Sequence, residues 1–175
     1  MVSTRKCVRV SALSAGSCLG FVRFGTSVFP CALGRGGSLA IKREGDGATP
    51  IGVWPVRRVY YRADRVRRPR CRVPVQAIRP ADGWCDAPAD RNYNRLVHHP
   101  YPASAERLWR DDHLYDLVVV LGHNDRPRRR GMGSAIFMHL ARASFTPTEG
   151  CVAMRERDLR RVLAALGRAG RVTIG

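Results

Sequence analysis

The residues best suited to chemistry in this 175-residue chain lie between Gly131 and Met154, in GMGSAIFMHLARASFTPTEGCVAM. His139 closes an apolar run from Ser134 to Ala141, the pattern of a buried or half-buried strand, and Cys151 follows a short loop containing Pro147. A thiol is mostly protonated near neutrality, so a cysteine nucleophile needs an imidazole, a helix start or a cation beside it. His139 offers the first of these, and a helix expected soon after Cys151 offers the second. Gly150 lets the chain turn tightly ahead of the thiol, so that amides around Gly150 and Cys151 can face a developing oxyanion. The pattern suits acyl transfer. Against it stands the ordinary reading, in which a buried cysteine simply packs.

With His139 upstream, Thr148, Gly150, Cys151 and Val152 resemble the signature of the L,D-transpeptidase catalytic domain, the YkuD-type domain of bacterial cell-wall enzymes. That signature runs His, a spacer, Ser or Thr, His, Gly, Cys, an apolar residue, then Arg or Asn. Here Glu149 stands where the second histidine is usual, Ala153 stands where Arg or Asn is usual, and the spacer is short. A second segment, KREGDGATPIG from Lys42 to Gly52, resembles the K-x-G-x-x-x-T-P-x-G stretch of the same family.

The resemblance implies a mainly β (α+β) fold, a sandwich-like catalytic domain with one amphipathic helix after the cysteine. It implies peptidoglycan stem peptides as partner and a periplasmic or envelope location. Cys151 would attack the carbonyl of the stem's third residue, usually diaminopimelate, expel D-alanine and form a thioester. His139 would act as base and then acid, with amides near Gly150 and Cys151 as oxyanion donors. Neither cofactor nor metal is required. Glu149 is expected to hold its loop or bind a substrate ammonium, and Thr148 to line the same site.

The elements that must position these groups are legible in part. Val8 to Leu13 and Cys18 to Phe24 read as strands around a Ser/Gly turn, a third strand follows within Thr26 to Ile41, and Gly52 to Tyr61 reads as another. Gly34-Arg35-Gly36-Gly37 lacks the lysine and hydroxyl of a P-loop and reads as a turn. A strand is expected near Val73 to Ile78. Asp82 to Val97 reads as loops that carry function on a rigid scaffold, with Trp84, Tyr93, Asn94 and Arg95 lining a substrate groove or covering the core edge. Ala103 to Asp111 suggests a short helix capped by Ser104. Leu114 to Gly122 is the strongest strand, apolar on both faces, and should pair with Ser134 to Ala141. His123 lies in the connecting loop and matters to chemistry only within hydrogen-bond reach of Cys151. An amphipathic helix from Arg155 precedes a last edge strand at Arg171 to Ile174.

At this length one domain, residues 1–175, is expected. The net charge of +17 favours polyanions in general. Basic clusters at Arg65 to Arg72 and Arg126 to Arg130 lack interleaved aromatics and any nucleic-acid-binding motif, so no specific nucleic acid partner is expected. No apolar run reaches the length of a membrane span, and residues 1–22 lack the continuous apolar centre of a signal peptide. Six cysteines without a C-x-x-C pair argue against a zinc ribbon. Cys71 and Cys85 are either bridged or free, while Cys7, Cys18 and Cys31 are expected to pack. His98 and His99, being adjacent, point apart and make poor metal ligands. Two other functions remain open on sequence alone: a cysteine hydrolase of wall peptides, and a noncatalytic basic module that binds polyanions.

Overall fold

The computed structural model describes residues 7–175; the basic stretch read at Met1 to Lys6 lies outside them. Most of the chain is extended. The first strands are β1 (Val8–Ala12), β2 (Leu19–Phe24), β3 (Ser27–Ala32), β4 (Ser38–Leu39), β5 (Thr49–Pro50), β6 (Gly52–Tyr61) and β7 (Val75–Ala77). Then come β8 (Asp82–Cys85), β9 (Leu96–His98), β10 (Ala105–Arg107), β11 (Leu117–Leu121), β12 (Phe137–Leu140) and β13 (Val152–Met154). A helix, α1 (Glu156–Ala165), and a final strand, β14 (Arg171–Ile174), complete the fold.

The main sheet runs β11-β12-β13-β3-β2-β1-β14-β6, and β6 also pairs with β11. Eight strands therefore close into a ring, which removes the exposed edges an open sheet would present. β7 adds to β6 alone. The seam between β13 and β3 is short, a single register pair of Ala153 with Ala32.

Period-two alternation sorts the side chains of this wall onto two buried faces. On β11, Leu117, Val119 and Leu121 join the main core, whereas Val118 and Val120 join a second cluster. Met138 and Leu140 of β12, and Val152 and Met154 of β13, also enter the main core. Phe137 and Cys151 belong to the second cluster. That second face is covered by a separate sheet of order β10-β8-β9, with Trp84, Leu96, Leu108 and Trp109 packed against it. Two covered faces explain why Leu117 to Leu121 is apolar throughout.

The ten residues of α1 are too few to hold a helix in isolation. Leu159, Val162 and Leu163 make its buried face, with Leu166 just beyond it, and all four lie in the main core. Each aliphatic side chain buried in this way stabilises by about 1.5–3 kcal/mol. Among the described residues no helix is long and apolar enough to cross a membrane.

Several expectations change. The amphipathic helix expected from Arg155 is present as Glu156–Ala165, but a short strand separates it from Cys151, because Val152–Met154 pairs in parallel with Met138–Leu140 and all three residues are buried. The helix start at Glu156 is therefore removed from the thiol. Ala105–Arg107 is a strand rather than part of a helix, since its backbone completes the edge of β8. Asp82 to Val97 contains strands as well as loop. β14 is interior to the ring, between β1 and β6, and not an edge. All six cysteines are free; Cys7 is exposed, whereas Cys31, Cys85 and Cys151 are buried.

Candidate active site

Parallel pairing of β12 with β13 sets Met138 opposite Val152 and His139 opposite Ala153. Cys151, one residue before that register begins, falls beside Phe137. Because side chains alternate, Cys151 and His139 share the face turned toward the β8–β10 sheet. Both line a cavity of about 560 Å³ whose wall also includes Glu44, Glu106, Tyr115 and Ser134. Cys151 is 7% exposed and His139 6% exposed, and what surface they keep lies on this cavity's wall.

The sulfur is held by backbone. Cys151 Sγ donates to the Ala135 carbonyl at 3.2 Å and accepts from the Phe137 amide at 3.3 Å. No hydrogen bond joins it to the imidazole among the described residues. His139 Nδ1 stands 2.9 Å from the Leu140 carbonyl. A carbonyl only accepts, so Nδ1 carries the ring proton and the neutral imidazole keeps its lone pair on Nε2. Tyr115 packs edge-on against the ring, centroids 5.3 Å apart.

Burial sets the protonation state of both groups. It pushes the Cys151 thiol up to about 12, with the nearby Glu106 carboxylate adding to the rise. It lowers the His139 imidazole to about 4. At neutral pH the site therefore holds a thiol and a neutral imidazole, not a thiolate and imidazolium.

The turn before the thiol is built for close approach. Gly150 has φ +126°, and a Cβ there would lie 2.7 Å from the Ala48 carbonyl oxygen. The Lys42 to Gly52 segment is thereby packed against the Cys151 turn, bringing the two sequence motifs together. That segment is braced internally: Lys42 pairs with Asp46, whose carboxylate also accepts from the Arg43 amide at 2.7 Å and the Ala48 amide at 2.8 Å. Thr148 Oγ1 donates to the Cys151 carbonyl at 2.6 Å and accepts from the Gly150 amide at 3.2 Å. In this state the Gly150 N–H is occupied by Thr148 and does not face the cavity as an oxyanion donor. Thr148 lines the cavity while its hydroxyl fixes the turn. Glu149 also lines the cavity, but its carboxylate is 76% exposed and paired with Arg35 at 2.8 Å.

The residues expected along a groove from the Asp82 to Val97 segment sit elsewhere. Trp84, Asn94 and Arg95 line a separate cavity of about 320 Å³. Trp84 packs edge-on against Phe137 and donates Nε1 to Asn94 Oδ1 at 2.9 Å. Asn94 is a clamp: its Nδ2 donates to the carbonyls of His123 and Asn124, and its Oδ1 also accepts from the Ala135 amide. Tyr93 stands behind the cavity wall and donates to Glu44. His123 is buried, donates Nε2 to the Met132 carbonyl at 2.9 Å and packs edge-on against Trp54. It has no bond to Cys151 and acts as a loop brace.

Sequence reasoning missed Glu106, Tyr115, Asp86 and Ser134, all on the cavity wall. Tyr115 donates to Glu106 Oε1 at 2.6 Å. Among the described residues no group of His, Cys, Asp and Glu is arranged to hold a metal ion.

The residue profile of the L,D-transpeptidase catalytic domain (YkuD) matches residues 18–174. A search of curated proteins gives no match. Among solved structures, Mycobacterium tuberculosis L,D-transpeptidase 1 is similar at 12% identity and a TM-score of 0.37. That alignment covers 97% of this chain and 62% of the solved chain, so this chain spans less than two thirds of that length.

Proposed function

We propose that this chain, which belongs to the L,D-transpeptidase catalytic domain family, is a cysteine acyltransferase acting on peptidoglycan stem peptides in the cell envelope. The observation that carries the reading is the shared face of Cys151 and His139 inside one cavity.

The protonation states favour general-base attack over a preformed thiolate. Cys151 rotates off the Ala135 carbonyl as substrate enters, and His139 Nε2 takes the thiol proton while the S–C bond forms. The proton then passes to the leaving nitrogen as the C–N bond to D-alanine breaks, leaving a thioester. An acceptor amine attacks the thioester carbonyl, loses its proton to His139, and releases Cys151 as the thiol. The arrangement asks nothing of a metal or cofactor. Glu149, held by Arg35 at the rim, takes no part in proton transfer.

The test is release of D-alanine from a stem tetrapeptide, with a D-amino acid supplied as acceptor. Wild-type protein is expected to yield D-alanine and the exchanged peptide, and Cys151→Ala neither. Release of D-alanine without any exchanged peptide identifies a hydrolase. Release unaffected by Cys151→Ala defeats the proposal.

A further inference from the structure

The cavity of about 320 Å³ beside the active site has the opposite charge. The wall around Cys151 carries Glu44, Asp86, Glu106 and Glu149. The neighbouring wall carries Arg57, Arg58, Arg95, Arg126 and Arg128 against one carboxylate, Asp125. Asp125 is already held by Arg57 in a two-point pair at 2.7 and 3.2 Å. Arg58 donates to the Gln76 side chain at 2.7 Å, and Arg128 places only its Nε on the Asn94 carbonyl, at 3.3 Å. The guanidiniums of Arg95 and Arg126 have no carboxylate or hydrogen-bond partner among the described residues. Like charges from β6, from the turn before β9 and from the β11–β12 connection thus converge on one hollow. Partial burial and the Arg95 and Arg126 charges hold the Arg128 guanidinium below its ordinary value, and Asp125 offsets this only in part.

Arg126 to Arg130 has no aromatic residue within it, but the fold brings Tyr60 and Trp84 to the wall of the same cavity. Guanidinium forks beside an aromatic wall suit a ligand with an oxyanion at one end and an apolar group at the other. A single carboxylate would neutralise one of the four arginines that lack an acid. A phosphate ester carries a charge of about −1.5 to −2 near neutrality and three acceptor oxygens. The volume is that of a small-molecule site. We propose that this cavity binds a phosphate ester, its phosphate held by Arg95, Arg126 and Arg128 and its organic group against Tyr60 and Trp84. None of these five residues lines the Cys151 cavity, so the proposal stands or falls apart from the acyl-transfer reading.

The test titrates phenyl phosphate, inorganic phosphate and benzoate calorimetrically into wild-type protein at about 0.15 M salt, where exposed charges are screened beyond about 8 Å. Phenyl phosphate is expected to saturate one site, more tightly than inorganic phosphate and about tenfold more tightly than benzoate, which forms fewer charge-assisted hydrogen bonds. Arg126→Gln with Arg128→Gln should weaken phenyl phosphate about tenfold or more, and Arg95→Gln alone should weaken it in the same direction. Arg68→Gln with Arg70→Gln removes the same net charge from another basic cavity, whose wall has no aromatic residue, and should leave the affinity within about twofold. Co-sedimentation with phosphatidic acid vesicles separates two sources of the phosphate. A greater loss for the Arg126 and Arg128 pair than for the Arg68 and Arg70 pair supports a lipid-borne ester, and equal losses support a soluble one. No saturable binding of phenyl phosphate, equal affinity for benzoate or inorganic phosphate, or equal weakening of phenyl phosphate by the two pairs of substitutions overturns the proposal.

Discussion

Cys151 and His139 project from one face of adjacent parallel strands but two residues apart in register, since His139 stands opposite Ala153. The offset leaves the sulfur on the Ala135 carbonyl and the imidazole on the Leu140 carbonyl. Each is held by backbone, and no hydrogen bond joins the two among the described residues.

The first consequence concerns reactivity. With the thiol pushed up to about 12 by burial, alkylation of Cys151 by iodoacetamide should be slow at pH 7 and climb about tenfold per pH unit into the alkaline range. Peptide mapping after timed exposure reads the rate. A rate that is flat from pH 5 to 8 would indicate a preformed thiolate.

A second concerns stability. The folded-state value of His139, about 4, lies below its ordinary 6.5, so the unfolded chain binds a proton that the folded protein refuses. Its contribution is present above pH 6.5 and is lost as pH falls toward 4; a shift of this size corresponds to about 3 kcal/mol. His123, also lowered by burial, acts in the same direction. Urea unfolding between pH 7 and 4 should therefore show a shallower decline in His139→Gln than in wild type. Parallel declines would show that His139 is not buried neutral.

Asn94 ties four partners together, Trp84 on β8 and His123, Asn124 and Ala135 in the β11–β12 connection. Asn94→Ala leaves the carbonyls of His123 and Asn124 and the N–H groups of Trp84 and Ala135 unpaired, at a cost of about 2–4 kcal/mol. A Tm drop of several degrees is expected, with kcat falling as the Ala135 segment loosens. An unchanged Tm would show that the clamp is dispensable.

Glu149 gives the opposite expectation. An exposed ion pair contributes about 0–1 kcal/mol, so Glu149→Gln should leave Tm within a degree or two and turnover unchanged. A large loss of kcat would return Glu149 to the mechanism.

The long strands were legible because their patterns are strong: Leu117 to Leu121 had to be covered on both faces, and Gly52 to Tyr61 emerged with the expected bounds. His139 and Cys151 were legible as reactive types near one connection. The three-residue strands were not. Ala105–Arg107 is too short to show a period, and only its pairing with β8 makes it extended. That pairing is also what carries Glu106 to the cavity, so a wall residue some thirty positions before His139 had no local mark. The strand after Cys151 went unassigned for the same reason, because the three residues Val152–Met154 are too few to show a period until β12 pairs with them, whereas the helix beyond it was legible. Trp84, Asn94 and Arg95 had suitable chemistry, but the fold directs them to a neighbouring cavity.

Intact-mass measurement and peptide mapping after exposure to a carbapenem test the central claim most directly. The expected result is a single covalent adduct on the peptide containing Cys151, absent from Cys151→Ala and formed more slowly by His139→Gln. An inert Cys151, or an adduct that persists in Cys151→Ala, would contradict it.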